Sequence, residues 1–271
     1  MNRGDTCHQL SAAELLDGLG TRRVGQEVIV LPEVNSTNSF ALDALAVEQG
    51  AAADGWVVFA EHQTVGRGRL GRSWHSPRGA GLLFTVLLCS GPARPTPARS
   101  VMAAAVAVAA GTERATLVAP VIRWPNDIHA GGKKLGGILV EVRPLTDSLW
   151  ATAVGIGVNC LQHEAHFPPE LRGRATSLDL ESSHPVDRTA VAQAILRELD
   201  VLWSAERGVS DDDLAAAWKA HSADLGARVT LTAEGRTFTG CIADVHPQTG
   251  LLLQLDTGAR REFDPSKTTR L

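Results

Sequence analysis

The strongest constraint on the fold is a change in strand length and spacing near Asp224. Before that residue, helical patterns and buried-type strands are mixed along the chain, which is typical of an α+β body. Residues 224–271 instead hold four short strands joined by Glu-Gly, Pro-Gln-Thr-Gly and Asp-Thr-Gly turns, the pattern of a small β-barrel. The sequence therefore predicts two domains, residues 1–222 and 223–271.

Apolar periodicity and turn residues locate the individual elements. Strands are predicted at Val28–Leu31, Trp56–Ala60, Leu82–Leu88, Val118–Trp124, Leu135–Val142 and Trp150–Val158, and in the barrel at Arg228–Thr232, Arg236–Asp244, Gly250–Asp256 and Arg260–Phe263. Helices are predicted at Ser11–Leu19, from the Asn35-Ser-Thr-Asn cap to about Glu48, and at Arg99–Ala110, Thr189–Ser204 and Asp213–Ala220.

Composition excludes several classes of protein. Hydrophobic residues make up 44% of the chain and charged residues 21%, so a disordered chain is excluded. No apolar run approaches the ~18 residues of a membrane span, and Met1–Thr6 lacks the apolar core of a secretory signal. The four cysteines, Cys7, Cys89, Cys160 and Cys241, form no C-x-x-C pair, so we expect a cytoplasmic protein without a disulfide framework or a cysteine zinc site.

Positive charge is concentrated in one segment. The net charge is −4, yet residues 62–112 contain six arginines and no acid, so that segment carries +6 and the remainder −10. A local positive charge on an acidic body suits a small anionic ligand better than a long polyanion.

A Gly-Arg loop, residues 66–74, lies within this segment. It reads Gly-Arg-Gly-Arg-Leu-Gly-Arg-Ser-Trp between two buried-type strands. Glycines let the backbone approach a ligand, and arginines bind phosphate or carboxylate oxygens. Because no acid lies nearby in sequence, we expect the arginines to repel one another until an anion binds, so that a ligand orders the loop. Disordered RNA-binding tails also contain Gly-Arg repeats, but this segment occurs once and is flanked by strands.

Three other short stretches have both a structural and a functional interpretation. They are Arg123-Trp-Pro-Asn-Asp127, Gly131-Gly-Lys-Lys-Leu-Gly-Gly-Ile138 and Val154-Gly-Ile-Gly-Val-Asn159. Taken singly, they are a turn, a hairpin and a glycine-weakened strand. No P-loop, G-x-S-x-G or H-E-x-x-H motif occurs, and His163 and His166 precede two prolines, which favours a surface loop over a metal site.

Taken in order, these stretches resemble the biotin protein ligase family. The matching pieces are Ser36-Thr-Asn38, Glu61-His-Gln-Thr-Val-Gly-Arg-Gly-Arg-Leu-Gly-Arg-Ser-Trp74, Arg123-Trp-Pro-Asn-Asp127, Lys134-Leu-Gly-Gly-Ile-Leu-Val-Glu141 and Gly155-Ile-Gly-Val-Asn159. The resemblance implies a mixed-sheet catalytic domain of the class II synthetase and lipoate-ligase kind with a small C-terminal SH3-like β-barrel. It also implies that biotin and MgATP give biotinyl-5′-AMP and pyrophosphate, after which a lysine of a biotin carboxyl carrier domain attacks the mixed anhydride.

The resemblance also implies roles for individual residues. The biotin site would comprise Ser36, Thr37, Asn38, Gln63, Arg67, Gly68, Arg69, Lys134, Gly136 and Gly137. The nucleotide would contact Arg67, Arg69, Arg72, Trp74, Asn126, Lys134 and Asn159. Among the catalytic residues, Lys134 would bridge the biotin carboxylate and the α-phosphate, Arg69 would close over them, and Asp127 would orient or deprotonate the incoming lysine. No protein metal site is expected; Mg²⁺ would accompany ATP.

The sequence departs from the family pattern in two places. Arg123 stands where family members often have lysine, and only about 25 residues precede the first strand, too few for the DNA-binding module of the regulatory members. We therefore expect a ligase without specific DNA binding or membrane association, as a monomer or weak homodimer. Two alternatives remain open: a lipoate–protein ligase, and a nucleic-acid-binding module that uses residues 62–112.

Overall fold

The structure is a computed structural model that describes residues 9–92, 94–203 and 208–271. Residues 1–8, on which the expectation about a secretory signal was based and which include Cys7, lie outside the described residues. The same holds for Ala93 and for Ser204, the predicted end of a helix. No helix in the described ranges is long and apolar enough to cross a membrane.

A seven-stranded mixed sheet forms the centre of the body, in the order β1-β2-β3-β7-β6-β5-β4. Strands β1 and β2 run parallel, and the other neighbouring pairs are antiparallel. The strands are β1 (Val28–Leu31), β2 (Val57–Ala60), β3 (Gly81–Ser90), β4 (Val121–Arg123), β5 (Asp127–Ala130), β6 (Lys133–Pro144) and β7 (Trp150–Asn159). The predicted strands are confirmed within a few residues, whereas β5 is an addition, since its four residues follow directly on the Trp-Pro-Asn turn.

The described residues also contain seven α-helices, all of which precede the C-terminal strands in the chain. They are α1 (Ala12–Leu16), α2 (Thr37–Phe40), α3 (Ala46–Gln49), α4 (Pro97–Thr116), α5 (Leu178–Glu181), α6 (Arg188–Trp203) and α7 (Asp211–His221). The helix predicted from Asn35 to Glu48 is broken by a π-helical turn at Ala41–Leu45. Ser36 is its N-cap residue but makes no side-chain capping bond, and the segment ends at Gly50, which has a φ of +55°.

The two faces of the large sheet are covered differently. One face packs on α4 and α6 in the main core. These two helices approach so closely that a Cβ on Gly111 would lie 2.7 Å from the backbone nitrogen of Ile195. On the other face, Ala151 and Ala153 of β7 are covered by the segment that contains α2 and α3. Glycines continue this face at residues 155 and 157, where the side chains of Asn38 and Trp74 pack directly on the strand.

The C-terminal residues form a second, antiparallel sheet in the order β11-β10-β9-β8-β12. Its strands are β8 (Arg228–Ala233), β9 (Arg236–His246), β10 (Gly250–Leu255), β11 (Arg260–Phe263) and β12 (Thr268–Arg270). The four predicted strands are confirmed, and three-residue β12 was missed because it is too short to show an alternation. In the described chain no pairing joins the edge strands β11 and β12, so the predicted small barrel is not confirmed and a five-stranded antiparallel sheet is observed.

Candidate active site

The floor of the site is made of glycines on β6 and β7. Gly137 and Gly157 pair across the two strands, and the indole of Trp74 lies on both. A Cβ on Gly157 would lie 2.8 Å from Cε2 of Trp74, and one on Gly137 would lie 3.5 Å from Cζ3. A larger side chain at Gly157 would therefore displace the indole, which explains why this strand carries a glycine despite its cost to strand stability.

An irregularity in β6 places Lys134 beside this floor. Asp127 pairs with Gly137 and His129 with Lys134, so β6 has one more residue than β5 between these two pairs. Side chains alternate between faces along a regular strand, and the extra residue brings Lys134 onto the face of Asp127 and Gly137. The Lys134 ammonium then donates to Asp127 Oδ1 at 2.7 Å.

The Trp74 ring and the His129 imidazole lie beside the Lys134–Asp127 pair. The Lys134 ammonium lies 5.9 Å from the centroid of the Trp74 ring. The imidazole of His129 follows Asp127 on the same face, and burial lowers its pKa, an effect to which Arg123 and Lys134 add and which Asp127 opposes. The Lys134 ammonium is therefore the group at this end of the floor that can meet an anionic ligand.

Polar side chains meet at the other end of the floor. Thr37 donates to Gln63 Oε1 from its backbone nitrogen at 2.8 Å and from its hydroxyl at 3.2 Å. The Asn38 amide nitrogen donates to the Leu139 carbonyl at 3.1 Å, while its oxygen accepts from the Thr85 hydroxyl at 2.6 Å. Asn38 and Thr85 are buried, as is Ser36. The Asn38 oxygen and the Gln63 amide nitrogen thus form an acceptor and a donor, the pair that a urea group requires.

Arg67 is paired with an acid from a distant part of the chain. It donates to Glu141 Oε2 at 2.8 Å and to the Ser39 hydroxyl at 3.1 Å. No acid lies near Arg67 in sequence, as expected, but the fold brings in a carboxylate from 74 positions away, so Arg67 is paired before any anionic ligand binds. Glu141 belongs to the stretch that resembles the family, but the sequence analysis assigned it no role. The feature that could have indicated one is its charge, because Glu141 shares a face with Gly137 and Leu139 in an otherwise apolar strand.

Arg69 joins the loop to the C-terminal sheet. It donates to the Thr268 carbonyl at 2.8 Å, to the Pro265 carbonyl, and to Asn126 Oδ1 at 3.2 Å. Burial lowers the pKa of Arg69 from its ordinary value, and Asp127 opposes this effect, but a guanidinium remains protonated at neutral pH. This half-buried charge is thus held by carbonyl and amide oxygens rather than by a carboxylate.

Other predicted residues lie at the edges of the site. Gly68 donates its backbone N–H to the Arg72 carbonyl at 2.6 Å, and the Arg72 side chain is exposed. Gly136 faces the core side of β6, opposite Ile128. The buried side chain of Asn159 donates to the Thr176 carbonyl at 2.9 Å and accepts from Gln162 at 3.1 Å, so its contacts lie away from the loop arginines.

Asp224, which the sequence analysis missed, supports the turn before Asn126. Its buried carboxylate accepts from the Trp124 backbone N–H at 2.9 Å and pairs with Arg270 of β12 at 2.7 Å. The second sheet therefore holds this turn in place as well as contacting Arg69.

The Gly-Arg loop covers a cavity of about 480 Å³ that is also lined by Leu139 and Glu141. A second cavity of about 180 Å³ lies between Arg69, Asn126, the start of α4 and the C-terminal sheet.

Burial raises the pKa of Cys89 to about 11 and that of Cys160 to about 12, so neither thiol is a nucleophile at neutral pH. The arrangement suits binding and polarising an anion next to a neutral polar ring.

Comparison with known proteins identifies the relatives of this chain. The model of the biotin/lipoate A/B protein ligase family matches residues 30–159. The bifunctional ligase/repressor BirA of Bacillus spizizenii is 33% identical over 94% of this chain and 78% of its own length. The biotin–[acetyl-CoA-carboxylase] ligase of Mycobacterium tuberculosis is 35% identical over 87% of this chain and 85% of its own. The structure of the Aquifex aeolicus biotin protein ligase with biotin and ATP matches with a TM-score of 0.75 and 27% identity, covering 91% of this chain and all of the other.

Proposed function

The chain belongs to the biotin protein ligase family, and from that premise we propose how its residues attach biotin to a protein lysine. It is an ATP-dependent ligase that acts on biotin. In the first step, the biotin carboxylate attacks the α-phosphate of ATP, which gives biotinyl-5′-AMP and pyrophosphate. In the second, the amine of a carrier-domain lysine attacks the acyl carbon, and an amide and AMP are formed.

The observation that carries this mechanism is the position of the Lys134 ammonium beside the glycine floor and the Trp74 ring. Adenylation joins two anions, so the site must cancel their repulsion and stabilise the charge that develops at phosphorus. We propose that Lys134 leaves Asp127 to contact the carboxylate and the α-phosphate, while Arg67 and Arg69 close over them. Asp127, once released, is then placed to orient the carrier lysine or to accept its proton.

The polar end of the floor favours biotin over lipoate. The Asn38 oxygen and the Gln63 amide nitrogen match the N–H and C=O of a ureido ring, whereas a dithiolane ring offers neither. A ligand without hydrogen-bonding groups would offer no partner to the Gln63 amide nitrogen or to the second acceptor position of the Asn38 oxygen, and sites built to bond a polar ligand reject analogues that lack its polar groups. Ser36 and Thr37 complete this end, and Trp74 covers the adenylate.

The remaining ligands and partners follow from the chemistry. Among the described residues, no group of three or more His, Cys, Asp or Glu could hold a metal ion. Mg²⁺ usually binds through one or two carboxylates together with phosphates, so it would enter as the MgATP complex, with Asn126 near the nucleotide; a contact of the nucleotide with Asn159 stays a prediction from the resemblance, because the Asn159 side chain is buried against Thr176 and Gln162. The acceptor would be a biotin carboxyl carrier domain.

The division at residues 222 and 223, with the second sheet as the SH3-like domain of the family, is part of this proposal. The contacts of Arg69 and Asp224 with that sheet support a role for it next to the site. Cytoplasmic location and the absence of specific DNA binding stay predictions from the sequence.

The test is transfer onto purified carrier domains. The protein is incubated with MgATP and either biotin or lipoate, together with a biotin carboxyl carrier domain or a lipoyl domain, and the intact mass of each carrier is measured. We expect one biotinyl group on the biotin carrier and no modification with lipoate. Lipoylation at a comparable rate would contradict the choice of substrate.

A further inference from the structure

The carboxylate of Glu141 contacts two residues of the site. Its Oε2 accepts from the Asn38 amide at 2.8 Å and from the Arg67 guanidinium at 2.8 Å. Glu141 pairs with Ala153 on β7 and lines the cavity under the Gly-Arg loop. It thus joins the polar end of the floor to the first arginine of the loop.

The first contact fixes the orientation of the Asn38 amide. Both hydrogens of this amide are used, one by Glu141 and one by the Leu139 carbonyl. The Asn38 oxygen therefore faces the Thr85 hydroxyl and Gly155. A Cβ on Gly155 would lie only 2.4 Å from this oxygen. Because an ionised carboxylate only accepts hydrogen bonds, Glu141 prevents the amide from turning over and presenting a donor to the ligand.

The second contact holds Arg67 while no ligand is bound. The Arg67 and Glu141 side chains are 40% and 32% exposed, so solvent weakens their ion pair and an incoming anion can replace it. A ligand carboxylate or phosphate in the cavity would compete with Glu141 for the same guanidinium.

We infer that Glu141 is a positioning residue that sets the Asn38 oxygen as the acceptor for the ligand ring and holds Arg67 until the ligand's anionic group displaces the carboxylate. This inference rests on the proposed function. The two contacts act on different parts of the ligand: the Asn38 contact acts on any ligand with the ureido ring, whereas the Arg67 contact acts only on ligands that carry a negative charge.

The test compares biotin with biotinol, which keeps the ring and replaces the carboxylate by an alcohol. Dissociation constants are measured by calorimetry for the unaltered protein and for Glu141→Gln. Loss of one fixed hydrogen-bonding group should weaken biotinol binding about 10-fold. Biotin binding should weaken less, by about 3-fold, because Arg67 is released from its competitor at the same time. The ratio of the biotinol and biotin dissociation constants should therefore be about 3-fold higher in Glu141→Gln than in the unaltered protein.

Two further variants act as controls. Asp43→Asn removes the carboxylate of another Arg–carboxylate pair, with Arg143 at the far end of β6, and should change neither constant. The double variant Arg67→Gln/Glu141→Gln is compared with Arg67→Gln, and this comparison should show the same loss of affinity for both ligands, because the competition requires Arg67. Melting temperatures show that each variant is folded.

An equal loss of affinity for biotin and biotinol in Glu141→Gln, or no loss for either, would overturn the inference. Failure of the unaltered protein to bind either ligand contradicts the proposed function itself, and the inference with it.

Discussion

Replacing Lys134 by alanine should abolish most of the adenylation activity and leave the fold nearly unchanged. In the free protein, the ammonium donates to Asp127 at 2.7 Å, and the two side chains are 35% and 30% exposed. Pairs that are exposed to this extent contribute less than about 1 kcal/mol to stability. Loss of the pair should therefore lower the free energy of unfolding by no more than that amount.

The effect on the reaction should be much larger. In the adenylation step the same ammonium would face the charge that develops at the α-phosphate, in a site closed by the loop. Removal of one such charge-stabilising group typically lowers the rate by about 10²–10³, or about 2.7–4 kcal/mol. The activation barrier should thus change several times more than the stability, which distinguishes a chemical role from a structural one.

Lys133 provides the matched control. It pairs with Ala130, a buried residue of β5, and adjacent strand residues point to opposite faces. We expect Lys133→Ala to retain its rate of biotin-dependent pyrophosphate release and Lys134→Ala to lose most of it, with similar urea unfolding midpoints. Equal activity of the two variants would remove Lys134 from the site, and equal loss of stability and activity would refute the distinction.

Three other changes test the surrounding site. Gly157→Ala, whose Cβ would lie 2.8 Å from the loop indole, should slow pyrophosphate release at least ~10-fold and lower stability by about 1–3 kcal/mol, whereas Gly137→Ala, at 3.5 Å, should change both less. Arg69→Gly should release biotinyl-AMP and label an added bystander protein, and labelling confined to the carrier would contradict a role in retention. Glu61→Gln should lower the free energy of unfolding in urea by about 3 kcal/mol, because it removes the buried carboxylate that pairs with Arg188 at 2.9 Å; a change below about 1 kcal/mol would show that the pair contributes little.

Local patterns in the sequence were sufficient to predict most of the sheet. The continuous apolar runs predicted β3 and β7 because these strands are buried along most of their length, and the run from Leu135 predicted β6, although that strand is mostly half-buried. The four-residue strand β5 and the three-residue strand β12 were missed because they are too short to show a period and begin directly after turns.

The geometry of the site depends on features that a local pattern does not contain. Regular alternation along β6 would place Lys134 on the same face as Gly136, whereas the extra residue opposite β5 places it with Gly137. The pairing of Arg67 with Glu141 joins residues 74 positions apart. Both are results of strand register and packing, so the residue types could be predicted from the sequence while their contacts could not.

In the proposed mechanism the chain activates biotin by itself, through Lys134 and the loop arginines and without a protein nucleophile. The most direct measurement is pyrophosphate release from MgATP by the purified protein, with biotin present and no carrier domain. We expect a burst close to one pyrophosphate per protein molecule, because biotinyl-AMP stays bound, and recovery of that acyl-adenylate on denaturation. Pyrophosphate release that does not depend on biotin, or a burst that leaves biotin covalently attached to the chain instead of to AMP, would contradict it.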